Sequence, residues 1–350
     1  MGKTTLTREL LNKKSVSYLN WDIQKNREAI KRSEVSSIDP FVIYDEIHKY
    51  TKWRQFLKGQ FDAKAGSQSI VVTGSARLDY YRKGGDSLFG RYQYFRLHPF
   101  SLLELNSKPT QSDLMHLLKF GGFPEPLLKG SEKTLRLWQR ERTQRVLTED
   151  LRDLENVKDV GLLELLADAL PQKIGSPLSL QSLREDLEVS HDAIKRWVQI
   201  FENLYFSFRL SPFGSPKIRA VKKEQKLYLW DWSVITDPGA RFENLVASQL
   251  LKYCHYLEDT QGYKMELRYL KDTDNREVDF VLLKDSKPQF AVEAKLSDSA
   301  GVSPQLNYFR ERTEIPIFYQ VHTGIKDFGS AKSRTRVLPF YTLCQELKLP

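Results

Sequence analysis

The chain has 350 residues, of which 40% are hydrophobic and 28% charged, a composition typical of a folded globular protein rather than a disordered one. This length exceeds what one ordinary hydrophobic core accommodates, so we expect two or three domains. The formal net charge is +9. That charge favours an anionic partner, with ATP and nucleic acid as the candidates, and a mildly basic protein without such a partner is the alternative.

Cysteine content and hydropathy exclude two further classes of protein. Cys254 and Cys344 are the only cysteines, which is too few for a disulfide framework. The sequence has no run of about 20 apolar residues, and its N-terminus has no apolar signal core. Leu6 occupies the position where a myristoylation signal needs Ser or Thr. The sequence therefore predicts a cytoplasmic protein without a membrane segment.

The first 105 residues alternate helical stretches with short apolar runs at 16–21, 41–44, 70–73 and 94–97. Strands that are buried on both faces have continuous apolar sequences, and their alternation with helices is typical of a parallel α/β sheet. We therefore predict a parallel sheet in this part of the chain.

The rest of the chain divides into a helical part and a second α/β part. Helices are predicted at 134–149 and 161–170, followed by a helix, a short turn, a helix and two strands between 178 and 230. From Arg241 onward we expect a helix at 242–253, three strands, a helix near 306–312 and a strand at 315–321. We predict three domains, spanning residues 1–105, 106–230 and 231–350.

The chain opens with the second half of a phosphate-binding loop. Gly2-Lys3-Thr4-Thr5 matches the end of the pattern G-x-x-x-x-G-K-[ST]. In such a loop, backbone N–H groups and a helix N-terminus surround the phosphate oxygens. The lysine neutralises phosphate charge, and the next hydroxyl binds Mg²⁺. Gly2, Lys3, Thr4 and Thr5 are therefore predicted to bind ATP, with Thr4 as a ligand of Mg²⁺.

The first half of this loop and the strand before it are not in the printed sequence. We expect the first strand of the sheet to be missing, through a start codon placed too late or through a truncation. The genomic reading frame upstream of Met1 would distinguish the two.

Two carboxylates follow the apolar run at 41–44. Asp45 is predicted to hold the hydration shell of Mg²⁺, and Glu46 to orient or activate an attacking water. A cap for the following helix is the alternative. Thr73 and Ser75, at the end of the next apolar run, are predicted to reach the terminal phosphate or the water, with an ordinary turn as the alternative.

Residues 180–203 have the spacing of a helix-turn-helix. The second helix has a predicted buried stripe at Ile194, Val198, Phe201 and Leu204. Its other face and the loop between two predicted wing strands, 205–210 and 226–230, are rich in residues that suit phosphates and base edges. DNA contact is predicted for Lys195, Arg196, Gln199, Lys222 and Lys223, with a solvated face or a protein contact as the alternative.

Charged residues interrupt an apolar strand near the C-terminus. Asp279, Glu293 and Lys295 form a D…E-x-K arrangement, and Glu293 and Lys295 share one face because strand residues two apart point the same way. Burying charge is costly unless it is paired or binds metal. The arrangement resembles the restriction-endonuclease-like fold, in which two carboxylates hold Mg²⁺ and the lysine supports the water or the phosphate. Glu243 is a further candidate ligand. A plain ion pair and a degenerate nuclease fold are the alternatives.

Taken together, these segments resemble the prokaryotic AAA-type ATPases of the archaeal-ATPase kind that carry a conserved C-terminal domain of unknown function. The resemblance covers nearly the whole chain. Besides Gly2-Lys3-Thr4-Thr5, it rests on Tyr44-Asp45-Glu46-Ile47-His48-Lys49 with Trp53, Val72-Thr73-Gly74-Ser75-Ala76, Phe89-Gly90-Arg91, Leu97-His-Pro-Phe100-Ser101, Phe120-Gly-Gly-Phe-Pro124-Glu125, Arg241-Phe-Glu243-Asn244-Leu245, Glu277-Val-Asp279-Phe280 and Val292-Glu293-Ala-Lys295.

The resemblance implies a fold of three parts: a parallel-sheet P-loop NTPase core, a helical and winged-helix middle, and a C-terminal mixed α/β nuclease-like domain. It also implies that Arg91 senses or contacts the terminal phosphate, including across a subunit interface, with an exposed surface arginine as the alternative. Three functions follow as hypotheses. They are an ATP-hydrolysing switch or motor, a Mg²⁺-dependent nuclease, and a module that binds nucleic acid or protein and has lost both activities. A protein partner and self-association are also expected as alternatives to DNA.

Overall fold

The computed structural model of the chain describes residues 2–11, 16–34, 39–64, 68–74, 88, 90–147, 160–214, 224–298, 301–330 and 332–350. The chain forms two compact units. The first comprises Met1–Leu97, Thr148–Val157 and Asn203–Tyr205, and the second comprises His98–Leu147, Lys158–Glu202 and Phe206–Pro350. The division into three domains stays a prediction.

The described part of the first unit contains a three-stranded parallel sheet with the strand order β1-β2-β3. Asn20 lies opposite Asp45, and Tyr44 opposite Val72, so the carboxyl ends of the strands meet at one edge of the sheet. The strands are β1 (Val16–Asn20), β2 (Phe41–Asp45) and β3 (Ser69–Val72), and the helices are α1 (Lys3–Leu11), α2 (Gln24–Arg32) and α3 (Trp53–Lys64).

The core of the first unit is built around β2, the central strand of the sheet. Four of its five residues, from Val42 to Asp45, are buried, as expected for a strand covered on both faces. Val42 and Tyr44 pack in a cluster with Trp21, Ile30, Ile47, Trp53, Leu57 and Leu88. The prediction of a parallel α/β sheet is therefore confirmed for the first three apolar runs.

The fourth apolar run, at 94–97, was wrongly predicted to be a strand. Residues 92–98 form neither helix nor strand. Phe95 is 61% exposed and Leu97 is 54% exposed, so these apolar side chains are not covered by the layers that flank a buried strand. An apolar run alone does not distinguish a buried strand from an exposed apolar segment.

The second unit begins with helices that have clear local start signals. Ser101 and Glu104 form a capping box, as do Thr110 and Asp113. The helices are α4 (Leu102–Leu105), α5 (Gln111–Phe120), α6 (Pro124–Lys129), α7 (Glu132–Arg145), α8 (Val160–Ala169), α9 (Leu180–Asp186) and α10 (His191–Asn203). The predicted stripe Ile194, Val198, Phe201 and Leu204 is buried.

An eight-stranded mixed sheet follows, with the order β10-β11-β9-β8-β7-β6-β4-β5. Its strands are β4 (Ser207–Pro212), β5 (Lys226–Leu229), β6 (Met265–Lys271), β7 (Glu277–Lys284), β8 (Lys287–Lys295), β9 (Phe318–His322), β10 (Phe328–Ser330) and β11 (Thr335–Pro339). The helices of this part are α11 (Pro238–Gln261), α12 (Pro304–Arg312) and α13 (Phe340–Leu347).

The two predicted wing strands belong to this same sheet. β4 and β5 form an antiparallel pair, and β4 also pairs in parallel with β6 through Ser211 and Arg268. An isolated bridge joins Pro177 to Lys226 at the start of β5. This connection places Lys226 in the same sheet as the strands that carry the C-terminal carboxylates. Over the described parts of the chain, no helix is long and apolar enough to cross a membrane.

Candidate functional sites

Asp45 is held at the end of β2 by donors from β1 and from the residue that follows β3. It is 1% exposed. One carboxylate oxygen accepts hydrogen bonds from the Tyr18 hydroxyl and, at 3.2 Å, from Asn20 Nδ2, and the other accepts from the Thr73 hydroxyl. Because a buried carboxylate needs such donors, the three strands together fix one anionic group at the carboxyl edge of the sheet.

Glu46 follows Asp45 in a backbone conformation that is rare for a residue with a side chain. Its φ is 55°. Non-glycine residues in this region carry strain of order 1 kcal/mol, and such strain is often found at functional sites. Burial raises the pKa of Glu46, while Lys3 and Lys49 lower it and Asp45 raises it further. Lys3, from the start of α1, therefore lies within electrostatic range of Glu46.

The chain enters α1 through a glycine with a positive φ. Gly2 has a φ of +76°, a conformation that glycine adopts without steric cost. Its carbonyl accepts a hydrogen bond from Leu6 N–H at 2.8 Å as α1 begins. Thr5 is exposed on this helix. The side chain of Thr4, and Ser75 as a whole, lie outside the described residues.

Arg91 forms an ion pair with Asp62. Its Nε lies 3.2 Å from Asp62 Oδ1, and both side chains are partly exposed. Exposed pairs of this kind contribute about 0–1 kcal/mol, so the pair does not hold Arg91 firmly. The structure thus brings Lys3, Asp45, Glu46 and Thr73 to one end of the sheet and places Arg91 beside Asp62.

The first unit fits Mg²⁺ and a nucleotide by the chemistry of its donors. Asp45 and Glu46 supply the carboxylate oxygens that Mg²⁺ prefers, and Mg²⁺ in nucleotide sites uses one or two carboxylates together with phosphates. Lys3 supplies positive charge at a helix N-terminus. Tyr18 and Asn20 were not predicted from the sequence as part of this site. The indication in the sequence was a pair of polar residues, two positions apart, at the end of a neighbouring strand, so that both side chains point to the same face.

In the second unit, β7 and β8 bring the predicted D…E-x-K residues together. The strands pair antiparallel, with Phe280 opposite Val292. Asp279 Oδ2 accepts a hydrogen bond from Ala294 N–H at 2.8 Å, and Glu293 Oε1 lies 2.6 Å from Lys295 Nζ. The other carboxylate oxygen of Glu293, Oε2, is buried and has no hydrogen-bond partner in the part of the chain that the structure describes.

The two carboxyls of this pair are electrostatically linked. Burial raises the pKa of Asp279 well above its usual range, Glu293 and Glu243 raise it further, and Lys226 opposes them. Burial also raises the pKa of Glu293, which Lys295 opposes. The site therefore holds more acidic groups than its nearby positive charges neutralise.

Lys226 is the residue that our sequence analysis missed in this cluster. Its side chain is 0% exposed, and its Nζ pairs with Glu277, lies 3.3 Å from Glu243 Oε1 and lies 3.9 Å from Asp279 Oδ1. Burial alone would lower the pKa of Lys226, but the three carboxylates outweigh it and the pKa is raised. Tyr228 completes the cluster, because its hydroxyl donates to Glu243 Oε1 at 2.8 Å.

This arrangement does not fit a metal ion as it stands. Among the described residues, no three His, Cys, Asp or Glu side chains are placed to hold a metal. Two of the predicted ligands, Glu243 and Asp279, contact the Lys226 ammonium instead, and the third, Glu293, pairs with Lys295. The nuclease reaction therefore stays a prediction.

The predicted nucleic-acid face lies on α10. Lys195, Arg196 and Gln199 are exposed, opposite the buried stripe of the same helix. Lys222 and Lys223 fall outside the residues that the structure describes. The described part thus presents two basic side chains and one amide on a single helical face.

Three family models match the chain one after another. Residues 1–106 match an AAA domain, residues 111–237 match a domain of unknown function (DUF8612), and residues 238–343 match a second domain of unknown function (DUF4143). The N-terminal part is therefore similar to AAA-type ATPase domains. The resemblance is confirmed for this part and for the presence of a C-terminal domain of unknown function.

Comparison with individual proteins adds one distant relative. An uncharacterized protein of Methanocaldococcus jannaschii is 23% identical over 235 residues, which cover 60% of this chain and 52% of that protein. The chain thus spans about half the length of the curated relative that it matches. No solved structure matches the chain.

Proposed function

We propose that the first unit binds Mg-ATP and hydrolyses it, so that the chain acts as an ATP-driven switch or motor. One observation carries the proposal: Lys3 at the start of α1 acts electrostatically on Glu46, next to the fixed carboxylate of Asp45. A cation for the phosphates and two carboxylates are thus gathered at one edge of the sheet. The match of residues 1–106 to an AAA domain supports the same function.

Each residue of the site has a role in this proposal. Lys3 and the backbone of Gly2, Thr4 and Thr5 bind the phosphates, and bound Mg²⁺ supplies charge neutralisation. Asp45 and Thr4 hold the ion. Glu46 accepts the proton of the attacking water, and its raised pKa makes it a stronger base than an exposed glutamate.

The remaining polar residues act around this centre. Thr73 orients Asp45 by donating to it, and Ser75 follows on the same segment. When nucleotide is bound, Arg91 leaves Asp62 and contacts the terminal phosphate. The exposed ion pair between Arg91 and Asp62 contributes little free energy, so it does not prevent this change.

Calorimetric titration with Mg-ATP and a phosphate-release assay test the proposal on three proteins. The wild-type chain is expected to bind and hydrolyse ATP. Lys3→Ala is expected to lose both, whereas Glu46→Gln is expected to bind ATP with similar affinity and to lose at least 100-fold in hydrolysis rate. Undiminished binding by Lys3→Ala, or undiminished hydrolysis by Glu46→Gln, would contradict the assigned roles. Lys52→Ala, at an exposed lysine, is the matched control.

We also propose DNA as the partner of the middle segment. Support comes from the order of α8, the Pro177 bridge, α9, α10, β4 and β5, which is the element order of a winged helix, and from the exposed face of α10. Lys195→Ala is expected to weaken binding to duplex DNA and to reduce its salt dependence. Lys133→Ala, which removes an exposed lysine of α7, is the control. An unchanged affinity and salt slope in Lys195→Ala would refute this partner.

A further inference from the structure

Three contacts join the end of β1 to the turn that follows β2. The Trp21 N–H donates to the Asp45 carbonyl at 3.0 Å, and the Trp21 ring stacks on Tyr50 with the ring centroids 4.7 Å apart. The Lys49 ammonium lies 2.9 Å from each carboxylate oxygen of Asp22. An exposed ion pair alone contributes little free energy, but the stacked rings and the backbone hydrogen bond hold the two segments beside each other.

Asp22 is also held from its own side of this junction. The Asp22 N–H donates to Asn20 Oδ1 at 2.8 Å, and Asn20 Nδ2 donates to Asp45 Oδ2 at 3.2 Å. The side-chain amide of Asn20 therefore ties Asp22 to the buried carboxylate at the end of β2. The position of Asp22 is thus fixed relative to the candidate nucleotide site, although its side chain is 53% exposed.

Lys49 has a second carboxylate within electrostatic range, that of Glu46. The Lys49 N–H donates to the Glu46 carbonyl at 3.2 Å, because Glu46 begins and Lys49 ends one turn of 3₁₀ helix. Besides burial, which raises the pKa of Glu46, Lys49 lowers it and Asp22 raises it. The charged and titratable groups that act on Glu46 or lie beside it are Lys3, Asp22, Asp45, His48 and Lys49. The carboxylates of Asp22 and Glu46 thus compete for one ammonium.

We propose that Asp22 is a positioning residue for ATP hydrolysis, because it holds the Lys49 ammonium away from Glu46. This role rests on the proposed function, in which Glu46 accepts the proton of the attacking water. An ammonium that hydrogen-bonds to a carboxylate occupies one of its oxygens and weakens it as a base. While Asp22 engages Lys49, the Glu46 carboxylate does not share its oxygens with that ammonium and can orient the water.

Asp22→Asn tests this role, because the amide keeps the shape of the side chain and removes its charge. Its kcat for ATP hydrolysis is expected to fall about tenfold, part of the roughly 100-fold or more that a general base contributes, while the Kd for Mg-ATP changes less than about twofold. Adding Lys49→Gln removes the competing ammonium and is expected to restore kcat to within about threefold of the wild type. Glu28→Gln, at an exposed carboxylate of α2, is the matched control and is expected to keep the wild-type kcat. An unchanged kcat in Asp22→Asn, or a loss that Lys49→Gln does not relieve, would overturn the proposal.

A second experiment needs no nucleotide and follows the unfolding of the first unit in urea. In the Asp22→Asn background Lys49 is expected to pair with Glu46, so Glu46→Gln should lower the urea midpoint more than it does in the wild type. Adding Lys49→Gln to both backgrounds is expected to abolish that difference. Equal effects of Glu46→Gln in the two backgrounds would refute the proposal. A wild type that does not hydrolyse ATP would contradict the proposed function and remove the role of Asp22, even if the urea midpoints showed that Asp22 withholds Lys49 from Glu46.

Discussion

At the scale of single residues, the hydrogen bond from Thr73 to Asp45 has a measurable energetic consequence. Thr73 is buried and donates to the buried Asp45 carboxylate. Hydrogen bonds to charged groups contribute about 1.5–3 kcal/mol. Thr73→Val is therefore expected to lower the free energy of unfolding by about this amount, as measured by urea unfolding.

The same substitution separates two roles of Thr73. If the hydroxyl positions Asp45, Thr73→Val lowers both stability and ATP hydrolysis. A role in contacting phosphate alone would lower hydrolysis and leave the urea midpoint unchanged, which would contradict the assignment made here. Thr51→Val, at an exposed threonine, is the matched control and is expected to change neither quantity.

Asp231 gives the second prediction at this scale, on the pH dependence of stability. It is 1% exposed, its Oδ1 accepts hydrogen bonds from Ser233, and its Oδ2 has no partner among the described residues. Burial raises its pKa, an effect that Arg142 and Ser233 reduce without reversing. The folded state therefore holds this proton up to a higher pH than the unfolded chain does, and stability falls as the pH rises through that window.

Asp231→Asn removes the ionisation and keeps the acceptor for Ser233. Urea midpoints between pH 4 and pH 7 are expected to show the variant gaining stability over the wild type as the pH rises. The gain is about 1.4 kcal/mol for each unit by which the pKa is raised. Asp168→Asn, at an exposed carboxylate, is the matched control. A stability difference between variant and wild type that stays constant or falls from pH 4 to pH 7 would contradict the inferred direction.

At the scale of elements, α11 illustrates how local signals set the ends of a helix. Apolar periodicity predicts this helix at 242–253, but the helix runs from Pro238 to Gln261. Asp237 caps its start by accepting from Ala240 N–H at 2.7 Å, and Gly262 ends it with a φ of 73°. The Asp-Pro-Gly sequence and the later glycine were readable in the sequence, whereas periodicity alone identified only the middle of the helix.

Gly262 and Gly161 form a matched pair that tests this explanation. At both positions an added Cβ would meet open space, so packing does not differ. Only Gly262 has a positive φ. Gly262→Ala is expected to destabilise the second unit by about 1 kcal/mol, and Gly161→Ala, within α8, to stabilise it by about 0.5 kcal/mol. Equal effects on the urea midpoint would show that backbone conformation does not end α11.

At the scale of the whole molecule, the sequence predicted contacts within neighbouring segments better than contacts across the chain. The three parallel strands were predictable from short runs that are mostly apolar, and Asp279, Glu293 and Lys295 because they lie on consecutive strands. Lys226 was not predictable in this way. Its contact with Glu277 depends on the order β7-β6-β4-β5 in the sheet, which no local pattern encodes. The only indication in the sequence was a single lysine at the start of an otherwise apolar strand.

Because the chain forms two compact units, nucleotide binding is expected to stabilise them unequally. A ligand that binds only the folded state adds about 2.7 kcal/mol at a concentration 100-fold above its Kd. Hydrogen exchange measured with Mg-ATP should therefore slow in β2 and around Asp45. It should remain unchanged in β7 and β8, which carry Asp279 and Glu293.

The Lys3→Ala variant is the control for this experiment, because its loss of phosphate binding should remove the protection of β2. Equal protection of both units by Mg-ATP in the wild type would show that nucleotide binding is not confined to the first unit. If Mg-ATP protected only β7 and β8, the nucleotide site would lie in the second unit, near Asp279 and Glu293.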